Sequence, residues 1–299
     1  MQYTLHKGSL TAAVDTQGGE LVSFRDGAGT EYIWGGDPAY WAGRNPILFP
    51  IVGSLKNGRV DIGGQSYEMG RHGFARGSQF TLAERGEDFA VLELRDSPDT
   101  LARYPFPFLL RVRHALLEDG FSTSFEVSNP GGAPLPFCIG AHTAFHCPLY
   151  PGERFEDYQL VFDEEEDSDA LPLTPEGLLA SGPGTPMLRG TDTIPLSHEP
   201  FDRLDTLIFQ GLRSKGVRLV HRDTGRGVRM EFGDFPMIAF WTMAHAQAPY
   251  LCLEPWYGCA AWDDESGRFQ DKPHCITLQP GEKRVLSFTV RPLRSPLAL

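Results

Sequence analysis

The sequence predicts an all-β protein built as one large antiparallel β-sandwich, and three observations carry that prediction. The first is alternation with a period of two. In Phe121-Ser122-Thr123-Ser124-Phe125-Glu126-Val127 the larger apolar side chains fall on odd positions and polar ones on even positions, as a half-buried strand requires. Val228-Arg229-Met230-Glu231-Phe232 repeats the pattern. The second is a series of short turn-forming segments between such stretches. The third is the near absence of helical periodicity, which one segment alone supports: Ser97 as N-cap, Pro98 at the first helical position, and residues 99–103 before Pro105.

Taken in chain order, the turns are Gln17-Gly18-Gly19, Arg85-Gly86-Glu87-Asp88, Glu118-Asp119-Gly120, Asp223-Thr224-Gly225-Arg226-Gly227 and Gln279-Pro280-Gly281-Glu282. Each reads as a hairpin connection. Strands joined this way pair antiparallel, not as a parallel α/β sheet. Residues 163–167 form a five-residue acidic run that reads as a solvated loop. Residues 171–200 are rich in Pro, Gly, Ser and Thr and read as a long surface excursion. No fixed-period repeat and no separating linker occur, so residues 1–299 are expected to form a single domain.

Composition narrows the function classes. The 33 glycines and 24 prolines make up roughly a fifth of the chain, against about 12% in ordinary usage, which suits a fold made of corners. With 41% hydrophobic and 22% charged residues the chain can bury a full core, which excludes disordered and fibrous classes. The net charge of −12, with no cluster of Lys and Arg, argues against nucleic acid or an anionic membrane as partner. The five cysteines are odd in number, show no CxxC pairing and sit beside apolar residues, so free thiols in a reducing compartment are expected. With no run of about 18 apolar residues and no leader-like N-terminus, the expected location is the cytoplasm.

Four segments place ionisable groups among apolar and aromatic neighbours. Arg44 precedes Asn45-Pro46-Ile47-Leu48-Phe49-Pro50; its guanidinium could serve a ligand or a surface salt bridge. His72 stands beside Gly73, and a glycine leaves room for a ligand to come close, although His-Gly is also ordinary in turns. His142 and His146 have the i, i+4 spacing of a zinc motif, but Thr143 stands where the helical motif needs Glu and the segment has no helical pattern. Metal is disfavoured there, leaving structural or catalytic histidines. Glu254 is the one charge in Tyr250-Leu251-Cys252-Leu253-Glu254-Pro255-Trp256-Tyr257-Gly258. A carboxylate so placed must find a partner or rise in pKa, so it is either a structural group paired with an arginine or a general base. There is no GxSxG elbow, no P-loop and no GxGxxG opening a helix, which leaves a metal-free histidine and carboxylate site suited to proton transfer.

In chain order these segments, with Asp205-Thr206-Leu207-Ile208-Phe209, resemble the aldose 1-epimerase (galactose mutarotase) family, and within it the LacX-like branch. The resemblance runs from the N-terminal strands to the Pro280-Gly281-Glu282 turn. It implies a β-supersandwich and cofactor-free interconversion of the α and β anomers of a free sugar. By the same resemblance Glu254 is the general base toward the anomeric hydroxyl and His142 the general acid toward the ring oxygen. His72 holds or polarises the ring oxygen, and Arg44 and Asp205 hold sugar hydroxyls. The chain departs from the family in carrying His142-Thr143-Ala144-Phe145 where His-Pro-Tyr-Phe is usual, a change that bears on sugar preference. His146 stays a second candidate. Two alternatives accompany this reading: a hexose-6-phosphate 1-epimerase, in which Arg71 and Arg76 meet the phosphate, and a carbohydrate-binding sandwich without turnover.

Overall fold

Alternation and short turns together generate two large antiparallel sheets. The computed structural model describes residues 1–294. Nine strands form the larger sheet, in spatial order Thr185–Pro195, Tyr158–Ala170, Gly216–His221, Gly227–Glu231, Lys283–Leu293, Phe121–Ser128, Leu109–Leu116, Phe89–Arg95 and Thr81–Arg85. The smaller sheet runs Thr206–Gln210, Met237–Trp241, Tyr250–Tyr257, Ile139–Ala141 and Ile47–Leu48, with Thr143–His146 also paired to Tyr250–Tyr257. A three-stranded meander, Gln2–Lys7, Leu10–Asp15 and Glu20–Arg25, stands beside them. Among the described residues no helix is long and apolar enough to cross a membrane.

One face of the six-stranded sheet supplies the main core. Leu207, Phe209, Ile238, Phe240, Leu251 and Leu253 join Phe125, Val127, Leu286 and Phe288 of the larger sheet in one buried cluster, and Phe162 of the larger sheet lies 6.2 Å from the Phe209 ring and 6.0 Å from Phe240. Each such side chain contributes roughly 1.5–3 kcal/mol by leaving water. Because successive residues of a strand point to opposite faces, the intervening Thr206, Ile208, Ala239, Trp241, Cys252, Glu254 and Trp256 share the other face. The larger sheet thus fixes which face of the smaller one is left for chemistry.

The predicted strands at 121–127 and 228–232 are present as Phe121–Ser128 and Gly227–Glu231. The first four turns each join antiparallel neighbours, and Ser97 caps a helix Pro98–Leu101. All five cysteines are free thiols. Three expectations are corrected. The acidic run 163–167 is not a loop but part of the strand Tyr158–Ala170, where the pairing slips and Glu166 turns inward to accept from the Ser214 (2.7 Å) and Arg213 (3.2 Å) amides. The excursion 171–200 contains the strand Thr185–Pro195 and the start of a second helix, Glu199–Leu204, so only its first half is irregular. Gln279-Pro280-Gly281-Glu282 does not close a hairpin. It links Ile276–Leu278, paired with Leu135–Phe137, to Lys283–Leu293 in the large sheet.

His114 illustrates how polar groups survive in this core. It is fully buried opposite Thr123, with Nδ1 3.0 Å from Thr123 Oγ1 and Nε2 2.8 Å from the Gly19 carbonyl. The carbonyl can only accept, so Nε2 carries the proton and Nδ1 accepts from the hydroxyl. Burial pushes the imidazole pKa down to about 4. As pH falls below about 6.5, the unfolded chain takes up the proton first, so stability falls through that window until about 4, at no more than about 1.4 kcal/mol per pH unit for this group. Denaturant unfolding between pH 7 and 4.5 should show this loss, and His114→Gln should reduce the slope by up to one proton.

Candidate active site

The strand Tyr250–Tyr257 pairs with Ile139–Ala141 at one end and with Thr143–His146 at the other in one unbroken register. His142 lies in the gap between the two, directly opposite Glu254. Its amide donates away from that neighbour, to the Pro46 carbonyl at 3.1 Å. The facing residues therefore form a non-hydrogen-bonded pair, the kind in which side chains stand closest. His142 Nε2 is 3.3 Å from Glu254 Oε1, and Glu254 is 1% exposed. On its other side Glu254 faces Ala239, whose methyl leaves space above the carboxylate.

That space is a cleft of about 120 Å³ lined by Trp41, His72, His142, Trp241, Glu254 and Trp256, with Arg71, Arg76 and Thr206 also reaching its wall. Trp41 and Trp241 flank the His142 ring at 4.9 and 5.4 Å between centroids. The residues Leu173 and Gly177, from the irregular half of the excursion, close one side.

His72 enters from a loop bent by two left-handed residues, His72 at φ +66° and Gly73 at φ +74°. Its amide donates to the Gly53 carbonyl (2.9 Å), and the Gly53 amide donates back to His72 Nδ1 (3.1 Å). An imidazole accepting at Nδ1 while neutral carries its proton on Nε2, so His72 offers a donor. Gly73 cannot be replaced cheaply, because a Cβ there would stand 2.3 Å from the Phe49 carbonyl oxygen.

Burial dominates the electrostatics. It drives the His142 and His72 pKa values well below the ordinary 6.5, helped by the arginine charges nearby. It drives Glu254 well above 4.5, with Arg71 pulling the other way. Glu254 Oε2, His142 Nδ1 and Trp256 Nε1 have no hydrogen-bond partner. Burial thus carries both groups toward neutral forms that face each other across 3.3 Å.

Of the expected site residues, His72, His142 and Glu254 converge on the cleft. Asp205 stands at its rim, half exposed, 3.8 Å from Arg71 and accepting from Thr206 Oγ1 at 3.0 Å. Arg44 is not brought to the cleft wall: its Nε donates to the Gly35 carbonyl at 2.8 Å, and its charge acts on Glu20. His146 does not join His142, since it packs edge-on against Trp34 at 5.5 Å. Trp41, Trp241, Thr206 and the loop at 173–177 were not singled out by sequence. For Trp241 and Thr206 the available signal was alternation in their strands, which places them on the face of Glu254. A possible ligand set for a metal is present in His142, Cys252 and Glu254, whose donor atoms lie within 4.8 Å of one another.

Comparison with known proteins gives the family and the fold. The aldose 1-epimerase family profile matches residues 1–291. The chain belongs to the aldose 1-epimerase family. It is 36% identical to the chromosomal LacX protein of Lactococcus lactis subsp. lactis over 297 residues, covering 97% of this chain and 99% of that one. Its fold is similar to a galactose mutarotase related enzyme from Lactobacillus acidophilus, with TM-score 0.92, 28% identity and 99% of both chains covered. It is also similar to a galactose mutarotase-like protein from Lactobacillus casei, with TM-score 0.90, 25% identity and 98% and 100% covered. The large antiparallel β-sandwich read from sequence is thus the galactose mutarotase-like fold, and membership in the aldose 1-epimerase family supports a sugar epimerase or mutarotase.

The loop that holds His72 gives a direct test. Gly73→Ala should cost about 1–3 kcal/mol of stability, because φ strain and the Phe49 clash add. Gly8→Ala, also at positive φ but with open space around it, should cost only about 1 kcal/mol. Thermal unfolding of both variants checks the order.

Proposed function

We propose that this family member interconverts the α and β anomers of a free aldose, with Glu254 as base and His142 as acid. The observation that carries the reading is the buried pair itself, 3.3 Å apart on the floor of an open cleft. Ring opening moves one proton from the anomeric hydroxyl to the ring oxygen. Glu254 takes the first and His142 supplies the second, the bond from C1 to the ring oxygen breaks, and an open aldehyde results. Rotation about the C1–C2 bond and closure on the other face run the same transfers in reverse.

This chemistry suits a pair that shares one proton. Its two arrangements, carboxylate with imidazolium and carboxyl with imidazole, are the states before and after ring opening. Burial disfavours the charged arrangement and mutual attraction across 3.3 Å favours it, so neither lies far from the other. Such a pair titrates as a unit. The cleft is smaller than the roughly 300 Å³ at which ligand pockets begin, so the anomeric end enters and the rest of the sugar projects past Arg71 and Asp205, which hold hydroxyls there. We assign the Nε2 proton of His72 to the ring oxygen, and the indole rings of Trp41, Trp241 and Trp256 offer apolar faces. Arg44 spends only its Nε–H on the Gly35 carbonyl and keeps its terminal donors, but it does not line the cleft, so the role expected for it toward a hydroxyl would need a sugar that reaches beyond the cleft wall.

Anomer-exchange NMR across a panel of free aldoses should show catalysis. Glu254→Gln and His142→Asn should each lower the rate by about 10²–10⁴ with the fold intact by circular dichroism. Sugar binding without exchange in the native protein would favour the non-catalytic alternative. The pH profile of kcat/KM should be bell-shaped. The low pKa of His142 delays uptake of a second proton as pH falls, and the high pKa of Glu254 delays loss of the first as pH rises. A monotonic profile would contradict the shared-proton pair.

A specific observation also favours an anionic substrate. Arg71 and Arg76 both reach the cleft wall, and among the described residues no carboxylate lies within 4.0 Å of Arg76. A phosphorylated aldose would bring the missing charge. Measuring exchange of an aldose and its 6-phosphate side by side decides: a tenfold or greater preference for the phosphate, lost in Arg76→Ala, would establish the second reading, and equal rates would remove it.

A further inference from the structure

Cys252 is two residues before Glu254 in the strand Tyr250–Tyr257, so both side chains leave the sheet on the same face. No part of the proton-transfer reading uses it. Its sulfur, the Glu254 carboxylate and a His142 ring nitrogen nevertheless form a compact group, each donor atom within 4.8 Å of the others. We propose that His142, Cys252 and Glu254 bind a thiophilic divalent cation of the zinc class, and that the bound cation switches the epimerase site off.

The donor set is of the kind zinc takes, one imidazole, one thiolate and one carboxylate, with a fourth position left open. The geometry is close to what the ion needs. Two nitrogen or oxygen ligands at tetrahedral angles around zinc stand about 3.3 Å apart, and His142 Nε2 and Glu254 Oε1 are already 3.3 Å apart. The sulfur has at most about 1 Å to travel, since all three donors lie within 4.8 Å of one another and a sulfur–nitrogen edge of the same tetrahedron is about 3.6 Å. Glu254 Oε2 is buried and without a hydrogen-bond partner, so one carboxylate oxygen is free to turn toward a cation. Two of the three ligands, His142 and Glu254, line the cleft.

Charge is balanced as well. A doubly positive ion with a thiolate and a carboxylate leaves the group neutral, so Arg71 and Arg76 at the cleft wall do not repel the filled site as they would a bare cation. The ion displaces the thiol proton of Cys252 and any proton held by the Glu254–His142 pair, and both leave to solvent, so affinity rises with pH. Once bound, the ion occupies the lone pairs that would accept and return the sugar protons. Inhibition therefore rests on the proposed proton-transfer roles, whereas binding does not.

Cobalt(II) is the probe, because a thiolate ligand gives a charge-transfer band in the near ultraviolet. Titrating the full-length protein with cobalt(II) at pH 7.5 should produce this band at one ion per chain, displaceable by zinc. The band should be absent in Cys252→Ala and in Cys252→Ser, two variants that guard against misfolding of either. One equivalent of zinc should lower anomer exchange of the native protein at least tenfold, reversibly with a chelator. In the cysteine variants exchange should persist and zinc sensitivity should drop by at least tenfold. Absence of the cobalt band in the native protein, or an equal band in the cysteine variants, overturns the site. If the cobalt band appears but no sugar is ever turned over, the metal site stands and the proposed epimerase activity fails.

Discussion

A single cross-strand pairing governs the site. The register between Tyr250–Tyr257 and its neighbour continues through the gap at His142, and that continuity sets an imidazole against a carboxylate as a close, non-hydrogen-bonded pair. A slip of one residue would send His142 to the core face among Leu251 and Leu253. The rest of the sheet protects the register: the Asn45 side chain accepts from Thr143 Oγ1 (2.7 Å) and donates to the Leu21 carbonyl (3.3 Å), pinning the strand beside His142 to the N-terminal meander.

Holding two ionisable groups in so dry a place carries a desolvation cost that the pair offsets in part by facing each other. Neighbouring elements supply the remainder. Arg71 and Arg76 come from the loop that also bends His72 into the cleft, and their charge favours the Glu254 anion. The same charge works against an imidazolium at His142. The loop therefore lowers both pKa values, favouring the charged form of Glu254 and the neutral form of His142, and the strained backbone at His72 and Gly73 shapes the loop that carries all three side chains to one wall.

Much of the architecture was legible because the relevant signals are local. Period-two alternation in 121–127 and glycine-containing turns such as 118–120 depend on a few adjacent residues, and they appear where expected. The failures share one cause. The charged run 163–167 looks solvated by composition, yet Glu166 finds the Ser214 and Arg213 amides some 48 residues away. The turn 279–282 looks like a hairpin because turn chemistry does not say which sheet the next strand joins. At the site, Glu254 and His142 were legible as charges misplaced among apolar neighbours. Arg44 carried a similar local signal but does not line the cleft, Trp241 was readable only through the alternation of its strand, and Trp41 carried no signal.

Sequence alone determined the class of fold and, through ordered motifs, the family. These follow from side-chain chemistry and short-range periodicity, which are written in adjacent positions. Tertiary structure decided that His142 meets Glu254, that Arg71 and Arg76 share their cleft while Arg44 and His146 do not, and that Cys252 lies within reach of the pair. The reason is that strand register and loop curvature join residues more than a hundred positions apart, and a separation in space of 3.3 Å leaves no local trace in the chain.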